Sequence, residues 1–241
     1  IFLDPARRNE HGGKTVAISD CEPNVAELEG LLLSKANRIM IKLSPMLDLS
    51  QALKELPHTQ EVHIISVNNE CKELLLLLGQ TAPEEIPVHC VNLSTKGEQE
   101  KQLFVFTREQ EQHSECSYTD TLGNYLYEPN ASLLKAGAFR SIAAAYSVKK
   151  LHPNSHLYTS DTQIEGFPGR TFRIINRCSL NKKEIKENLS DLKKANITVR
   201  NFPLSVDELR KRTKIADGGT IYLFATTLEN GDKVLIKTHK I

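Results

Sequence analysis

The sequence has no long hydrophobic run, and its first residues do not show the pattern of a secretory signal. Its longest apolar run is Leu74–Leu78, whereas a helix needs about 20 apolar residues to span a bilayer. No basic segment followed by an apolar one opens the chain, so a secretory signal is not expected. These absences favour a globular protein of the cytoplasm that is not embedded in a membrane.

Cysteine is scarce, and no two cysteines have the spacing of a metal or redox motif. An odd number of scattered cysteines without a C-x-x-C pair argues against a disulfide framework and against a structural zinc site. We therefore expect thiols in a reducing cytoplasm and no metal. The cysteines are Cys21, Cys71, Cys90, Cys116 and Cys178.

Net charge is close to zero but unevenly distributed. Residues 151–241 carry 16 Lys and Arg against 10 Asp and Glu, whereas residues 1–150 carry 15 against 20. A basic end on an otherwise acidic chain indicates nucleic-acid binding, although a solvated surface would give the same count.

The first 95 residues alternate apolar strands with helical patterns. The segments IFLD, RIMIKLSP, EVHIISV and PVHCVNL are predicted strands, and VAELEGLLLSKA and LSQALKEL are predicted helices capped by Asn24 and Asp48. The segment TVAIS is predicted as a short strand or a loop. The apolar NNECKELLLLLG is predicted as a helix, with a strand as the alternative. This order predicts βαβ units and a mostly parallel sheet.

The second half has a different pattern. Residues 96–120 form a polar boundary region that contains the alternating QLFVFTR and the segment EQEQHSEC, which is predicted as a loop or a solvated edge. The segment ASLLKAGAFRSIAAAYSV is predicted as one long helix capped by Asn130. After GFPGR, strand and helix patterns follow in the order β-α-β-α-β-β, with a capping box at Ser205 and Glu208 and a hairpin turn at ENGD.

The stretch IFLDPARR places an acid at the end of a predicted strand. Ligands of open α/β sheets bind beyond the carboxyl ends of the strands, and Pro5 favours an extended Asp4. Asp4 could accept hydrogen bonds from a substrate or cofactor, and Arg7 and Arg8 could bind phosphate. The pattern fits equally well an Asp that caps a loop beside two solvated arginines.

Two further strand ends carry polar residues. In IKLSPMLD, Lys42 and Ser44 could contact a ligand, whereas Asp48 is better interpreted as a helix N-cap. In SVNNE, Asn68 and Asn69 are more typical of a turn than of base recognition.

Several segments resemble a known family. A strand ending in Asp-Pro-x-Arg, followed by a helix and a strand ending in Ser-Pro, resembles the later half of class I S-adenosylmethionine-dependent methyltransferases. The segments YLYEPNASLLKAGAF, LHPNSHLYTSD, GFPGRTFRI and NITVRNFPLSVDELRKR resemble the C-terminal region of bacterial methyltransferases that carry a THUMP-like domain.

This resemblance implies an α/β fold with a partial Rossmann-like methyltransferase sheet, followed by a smaller α+β THUMP-like domain. The implied domains are residues 1–120 for the second half of the Rossmann-like domain, 121–165 for a helical or ferredoxin-like connecting segment, and 166–241 for the THUMP-like domain. In this interpretation IFLD is the fourth strand of the sheet, and its apolar edge at Ile1–Leu3 lacks a neighbour and needs covering.

The resemblance also implies an enzyme that transfers a methyl group from S-adenosylmethionine to RNA. Asp4, Pro5 and Arg7 match the catalytic motif loosely, with Ala6 where the family has a second proline. The family binds its donor with a Gly-rich turn and a later acid, but no G-x-G occurs in this sequence. We therefore expect this chain alone to bind the donor weakly or not at all and to be inactive.

The sequence narrows the implied chemistry. Uridine-C5 methyltransferases need a thiolate at the end of the next strand, where this chain has Leu43 and Ser44, and a serine is too weak a nucleophile to replace it. Arg7 stands where amino-methyltransferases usually stack an aromatic on a flipped base. Direct transfer to nitrogen or oxygen is left, with Asp4 orienting the acceptor or taking its proton.

Basic residues are the candidates for contact with RNA. Cations near the end of the RKRTK helix also suit the helix dipole, and Phe202 could stack on a base or lie in the core. The alternatives to the enzyme are a non-catalytic RNA-binding or scaffold protein and a phosphate-binding enzyme that uses Arg7 and Arg8. The predicted substrate contacts are Arg8, Lys42, Ser44, Arg170, Arg173, Arg200, Arg210, Lys211 and Arg212, with Arg177 and Lys214 as further candidates.

Overall fold

The computed structural model describes residues 1–7, 18–81, 83–95 and 101–241. The chain divides into two compact units, one formed by Ile1–His113 with Asn130–Ala138 and the other by Ser114–Pro129 with Phe139–Ile241. Among the described residues, no helix combines the length and the apolar character needed to cross a bilayer.

The first unit is built around a six-stranded sheet. Its strand order is β1-β4-β6-β5-β7-β8. The pairs β1–β4 and β5–β7 are parallel, and the other pairs are antiparallel. In chain order the elements are β1 (Phe2–Leu3), β2 (Ala6–Arg7), a 3₁₀-helix (Ile18–Asp20), β3 (Cys21–Glu22), α1 (Val25–Lys35), β4 (Arg38–Leu43), α2 (Leu49–Glu55), β5 (Thr59–Val67), β6 (Glu70–Gly79), β7 (Pro87–Leu93), β8 (Lys101–Thr107), α3 (Arg108–His113) and α4 (Ala131–Ala136).

The prediction of a helix over NNECKELLLLLG is wrong, because this segment forms β6 between β4 and β5. Asn68 and Asn69 adopt positive φ angles of 51° and 64°, which a two-residue hairpin turn requires. A hairpin makes its two strands antiparallel, so the prediction of a mostly parallel sheet is also wrong. Leu74, Leu76 and Leu78 are buried on one face, and α4 packs against β5, β6 and β7.

The second unit contains a seven-stranded sheet in the order β10-β11-β9-β12-β15-β14-β13. The predicted order β-α-β-α-β-β is confirmed from β12 to β15. The elements are β9 (Tyr125–Pro129), α5 (Arg140–Tyr146), β10 (Lys149–Lys150), β11 (Tyr158–Ser160), β12 (Gly169–Ser179), α6 (Lys182–Leu189), β13 (Asn196–Arg200), α7 (Val206–Thr213), β14 (Ile221–Thr227) and β15 (Lys233–Lys240).

Two local predictions need correction, and a third falls mostly outside the described residues. The long helix predicted after Asn130 is two helices, α4 and α5, because Gly137 ends α4 in the left-handed region at φ 76°. Part of the loop predicted at EQEQHSEC is helical, since α3 spans Arg108–His113. Within TVAIS, residues 15–17 lie outside the described residues, and Ile18 begins the 3₁₀-helix.

Two hydrophobic clusters form the core of the second unit. One lies between β9, β12, β14 and β15 and contains Leu126, Phe172 and Phe224. The other lies beneath α6 and α7 and contains Leu189 and Leu209. Phe202 packs against this second cluster, as expected of a core phenylalanine. Both helices of the β-α-β-α-β-β segment, α6 and α7, thus pack against the sheet through this cluster.

Candidate functional site

The first candidate site lies at the carboxyl ends of β1 and β4. These strands run parallel, with Phe2 opposite Met40 and Leu3 opposite Ile41. Asp4 therefore leaves the sheet at the level of Lys42. The two predicted strand ends come together because parallel neighbours end at the same edge of a sheet.

Asp4 and Lys42 form an ion pair at this edge. Lys42 Nζ lies 2.5 Å from Asp4 Oδ2 and 3.9 Å from Glu73 Oε2. The hydrogen bond from Lys42 to Asp4 raises the pKa of Lys42. Half of the Asp4 side chain is exposed, so the pair is accessible to a ligand and contributes little to stability.

A cavity of about 320 Å³ opens beside this ion pair. The predicted residues Asp4, Pro5, Lys42 and Ser44 all line it. Ser44 Oγ accepts a hydrogen bond from the Met46 amide at 3.3 Å. The other lining residues are Ala6, Cys21, Leu43, Pro45, Lys72 and Glu73.

Sequence reasoning missed three polar members of this cavity, Cys21, Lys72 and Glu73. Cys21 is opposite Arg7 in the short pairing of β3 with β2, a contact that no periodic pattern signals. Lys72 and Glu73 belong to β6, and the helix predicted there hid their place beside β4. The strand alternative for this segment would have brought Glu73 near Lys42.

The remaining residues of the predicted strand ends have mixed outcomes. Arg7 lies in β2, whereas Arg8 lies outside the described residues. Asp48 is the N-cap of α2 and accepts a hydrogen bond from the Gln51 amide at 2.9 Å, which confirms the cap interpretation. Asn68 and Asn69 form the β5–β6 turn.

The second candidate site is a buried carboxylate that contacts two predicted arginines. Glu128 on β9 is 1% exposed. Arg170 Nε donates to Glu128 Oε2 at 2.9 Å, and its Nη2 donates to the same oxygen. Arg200 Nη2 lies 2.8 Å from Glu128 Oε1, but this oxygen accepts no hydrogen bond from any described residue. Arg200 thus contributes an ion pair without a well-aligned hydrogen bond.

Positive charge accumulates around Glu128. The guanidinium carbon of Arg170 lies 5.5 Å from the centre of the Phe172 ring. This is a cation–π contact, in which the face of the ring attracts the positive charge. Burial, together with the charges of Lys150 and Arg200, lowers the pKa of His156 to about 4. His156 is therefore neutral at physiological pH, and the two arginines with one glutamate leave a net positive cluster.

Arg200 reaches Glu128 although β13 is four positions from β9 in the strand order. Such a contact requires a strongly curved sheet. The register of β12 against β15 shifts between Ile174 and Asn176, and a bulge of this kind bends a strand and increases its twist.

The other predicted RNA contacts have different surroundings. Arg173, Lys211 and Arg212 are exposed. Arg210 instead donates to the Ile215 carbonyl at 3.2 Å and pairs with Asp217, so it fastens the end of α7. Arg212 also lines a cavity of about 430 Å³ with Leu180, Asn181, Lys182, Ile185 and Lys186.

Comparison with known proteins identifies two domains in the second half of the chain. Residues 125–168 match a family described as a ferredoxin-like domain. Residues 169–240 match a family described as THUMP domain-like. The second match covers the β-α-β-α-β-β segment from β12 to β15. No curated protein matches the chain.

A solved structure resembles almost the whole chain. It is the crystal structure of a protein from Porphyromonas gingivalis W83 that carries the name "putative methyltransferase". The two sequences are 42% identical, the TM-score is 0.89, and the match covers 99% of this chain. The chain spans 59% of the length of that protein. The mixed α/β fold is thus methyltransferase-like and carries ferredoxin-like and THUMP-like domains.

The described residues around Asp4 lack the features that would bind the methyl donor S-adenosylmethionine. The resemblance noted above implies a Gly-rich turn for S-adenosylmethionine, but the connections after β4 and β5 contain no glycine. Gly12 and Gly13 lie outside the described residues. The acid at the edge, Asp4, is already paired with Lys42. The described residues of this edge therefore do not fit a site for the methyl donor.

Proposed function

We propose that this chain is the acceptor-side and RNA-contacting part of an S-adenosylmethionine-dependent RNA methyltransferase. The observation that carries the proposal is the convergence of Asp4, Pro5, Lys42 and Ser44, predicted from two separate strand ends, on one cavity. The likeness to the Porphyromonas gingivalis protein supports the transferase, and the THUMP-like match supports the RNA substrate.

In this proposal Asp4 orients the acceptor group of the substrate. Its carboxylate already forms an ion pair with Lys42, which fixes its position at the edge of the cavity. A carboxylate held in this way is suited to accept a further hydrogen bond from an amino or hydroxyl group. Lys42 and Ser44 hold the substrate beside it. Transfer is direct to nitrogen or oxygen, without a covalent enzyme intermediate.

Binding of RNA falls to the second unit. Arg170 and Arg200 are 28% and 37% exposed, and each guanidinium carries five N–H donors. Glu128 uses only part of this donor set, so the remaining donors can bind phosphate, the usual partner of a fixed guanidinium. Exposed Arg173, Lys211 and Arg212 extend the positive surface.

Methyl transfer to RNA by the longer protein that contains this chain tests the proposal. With labelled S-adenosylmethionine and total RNA, we expect label in the RNA, and Asp4→Asn should lower the rate about 100-fold, the usual scale for a positioned acid or base. Glu73→Gln, which removes a carboxylate only 3.9 Å from Lys42, is the matched control and should retain most activity.

Two outcomes contradict the proposal. If the folded longer protein binds RNA but transfers no label to any RNA, a non-catalytic RNA-binding protein is the better description. If Asp4→Asn and Glu73→Gln lower the rate equally, Asp4 has no role of its own in orienting the acceptor.

A further inference from the structure

Two histidines and a glutamate lie together on one face of the six-stranded sheet. Within β5, Val62 and Ile64 are buried on one face, so the alternating Glu61 and His63 lie on the other. β5 and β7 run parallel with His63 opposite His89. The register itself therefore brings the two imidazoles together.

The three side chains are close enough to share a ligand. The rings of His63 and His89 stack with their centres 4.4 Å apart and an interplanar angle of 8°. His63 Nε2 lies 3.2 Å from Glu61 Oε2. All three ligand atoms lie within 4.8 Å of one another. Among the residues that the structure describes, no other trio of such side chains is this close.

The residue types of the trio are ordinary metal ligands. A neutral imidazole donates a lone pair from one ring nitrogen and is the commonest metal ligand among side chains. Carboxylate oxygen also ligates zinc, so Glu61 can complete a set of three donors.

The donor set selects the kind of metal. Zinc binds histidine nitrogen at about 2.0–2.1 Å and carboxylate oxygen at about 2.0–2.2 Å, and sites with three protein ligands keep the fourth position for water or substrate. Calcium and magnesium prefer oxygen ligands throughout. Donors in a tetrahedral site stand roughly 3.3 Å apart. Because the lone pair of an imidazole lies in its ring plane, the two stacked rings must tilt out of their parallel arrangement to bind one ion.

The surroundings suit such an ion. Leu75 is the register partner of His63, and Val105 is the partner of His89. Apolar neighbours lower the local dielectric and strengthen ligation. Val105 is 44% exposed, so the site is open to solvent on one side.

We propose that Glu61, His63 and His89 bind one divalent transition-metal ion of the zinc class, with a coordination position left open. The scattered cysteines, which lack a C-x-x-C pair, predicted no metal site. This site needs no cysteine and depends on a pairing between strands that lie 26 positions apart in sequence. It is independent of the proposed methyl transfer.

Titration of the untagged, chelator-treated chain with Zn²⁺ and Co²⁺ tests this proposal. Calorimetry should show one saturable site, and Co²⁺ should give the visible absorption of a tetrahedral nitrogen–oxygen site without the charge-transfer band of thiolate ligands. His63→Gln and His89→Gln should each weaken binding more than about 100-fold, since even outer-sphere partners of metal ligands are worth 10–100-fold.

Two control variants separate the site from general histidine binding. His113→Gln changes an exposed histidine of α3, and His58→Gln changes a histidine 3.2 Å from the Glu29 carboxylate. Both should bind as the unchanged chain does. Zn²⁺ should also raise the melting temperature of the unchanged chain but not that of His63→Gln, as ligand linkage requires.

The proposal is overturned if the unchanged chain shows no saturable binding. It is also overturned if the His63→Gln variant, folded by circular dichroism, binds Zn²⁺ as tightly as the unchanged chain. Equal losses in His113→Gln and His63→Gln would assign the binding to scattered surface histidines and contradict it as well.

Discussion

At the scale of single residues, the two arginine partners of Glu128 contact it in different ways. Arg170 donates two hydrogen bonds to the buried carboxylate, so its loss would leave a buried charge poorly compensated, which is strongly destabilising. Arg200 contributes only an ion pair, and its side chain is 37% exposed. Arg200 is therefore the arginine whose removal can report on RNA binding without unfolding the protein.

Arg200→Gln should weaken binding of single-stranded RNA and lower its salt dependence. Each phosphate contact contributes about 0.7 to the slope of log affinity against log salt concentration. Fluorescence anisotropy with labelled RNA between 50 and 200 mM salt measures this slope. Over this range of salt, every few phosphate contacts lower the affinity about tenfold. The exposed pair Lys211→Gln/Arg212→Gln should act in the same direction.

Lys233→Gln is the matched control, since it removes one charge from β15 outside the Glu128 cluster. It should leave the slope nearly unchanged. If Arg200→Gln and Lys233→Gln lower affinity by the same amount, the RNA senses net charge only, and the Glu128 cluster is a purely structural ion pair.

Some residue roles could be predicted from sequence and others could not. Asp48 and Ser205 are local caps, and a cap needs only its own helix. Glu128 is an acid in the otherwise apolar segment YLYEP, and such an acid indicates a buried partner of opposite charge. The identity of that partner could not be predicted, because Arg200 meets Glu128 through the curvature of a whole sheet.

At the scale of elements, α6 and α7 begin with carboxylates that hold their first turns. Glu208 completes the capping box with Ser205, whose amide donates to Glu208 Oε2 at 2.7 Å. Glu184 accepts from the Ser179 amide at 2.7 Å. These backbone hydrogen bonds lower the pKa of both glutamates. Their contribution to stability is present at neutral pH and is lost as the pH falls through the lowered pKa values.

The urea midpoint of the chain should therefore fall as the pH drops from about 5 to about 3, below the ordinary glutamate range. The double variant Glu184→Gln/Glu208→Gln should have a lower midpoint at pH 7 and a weaker dependence on pH in this range. Glu229→Gln, in the β14–β15 turn, is the control. A double variant with the same pH dependence as the unchanged chain would contradict this assignment.

Prediction of the elements succeeded where local chemistry decides and failed where pairing decides. Helix α1 follows from Asn24 and its apolar face. The leucine run of β6 has no local signal that separates a buried strand from a buried helix. Gly137 could have marked the break between α4 and α5, since glycine commonly ends helices in the left-handed region. The segments EVHIISV and PVHCVNL each contain a Val-His pair. Only the parallel register of β5 and β7, which the sequence does not reveal, places His63 opposite His89.

At the scale of the whole molecule, the proposed function assigns the acceptor side to this chain and the donor-binding side to another part of a longer methyltransferase. We expect no binding of S-adenosylmethionine by this chain at low micromolar concentration in calorimetry. Under the proposed function, a longer methyltransferase that contains this chain should bind it, because the family resemblance implies a Gly-rich turn and a ribose-binding acid outside this chain. The Asp4→Asn form of the longer protein is the control and should bind the donor normally.

Tight binding of the donor by this chain alone would contradict the assignment of donor binding to residues outside it. It would also make the cavity beside Asp4 a donor site rather than an acceptor site, and Asp4→Asn should then weaken donor binding. The two assignments are therefore distinguished by the same pair of proteins.

Gly169 stands where the ferredoxin-like match ends and the THUMP-like match begins. A side chain there would collide with the Glu128 carbonyl oxygen, 2.1 Å from an added Cβ. From this glycine onward β12 pairs with β9 on one side and with β15 on the other. The border between the two families is thus a shared sheet and not a linker. Recombination that exchanged either family for an unrelated one would have to rebuild that sheet, so evolution can be expected to pass the two on together.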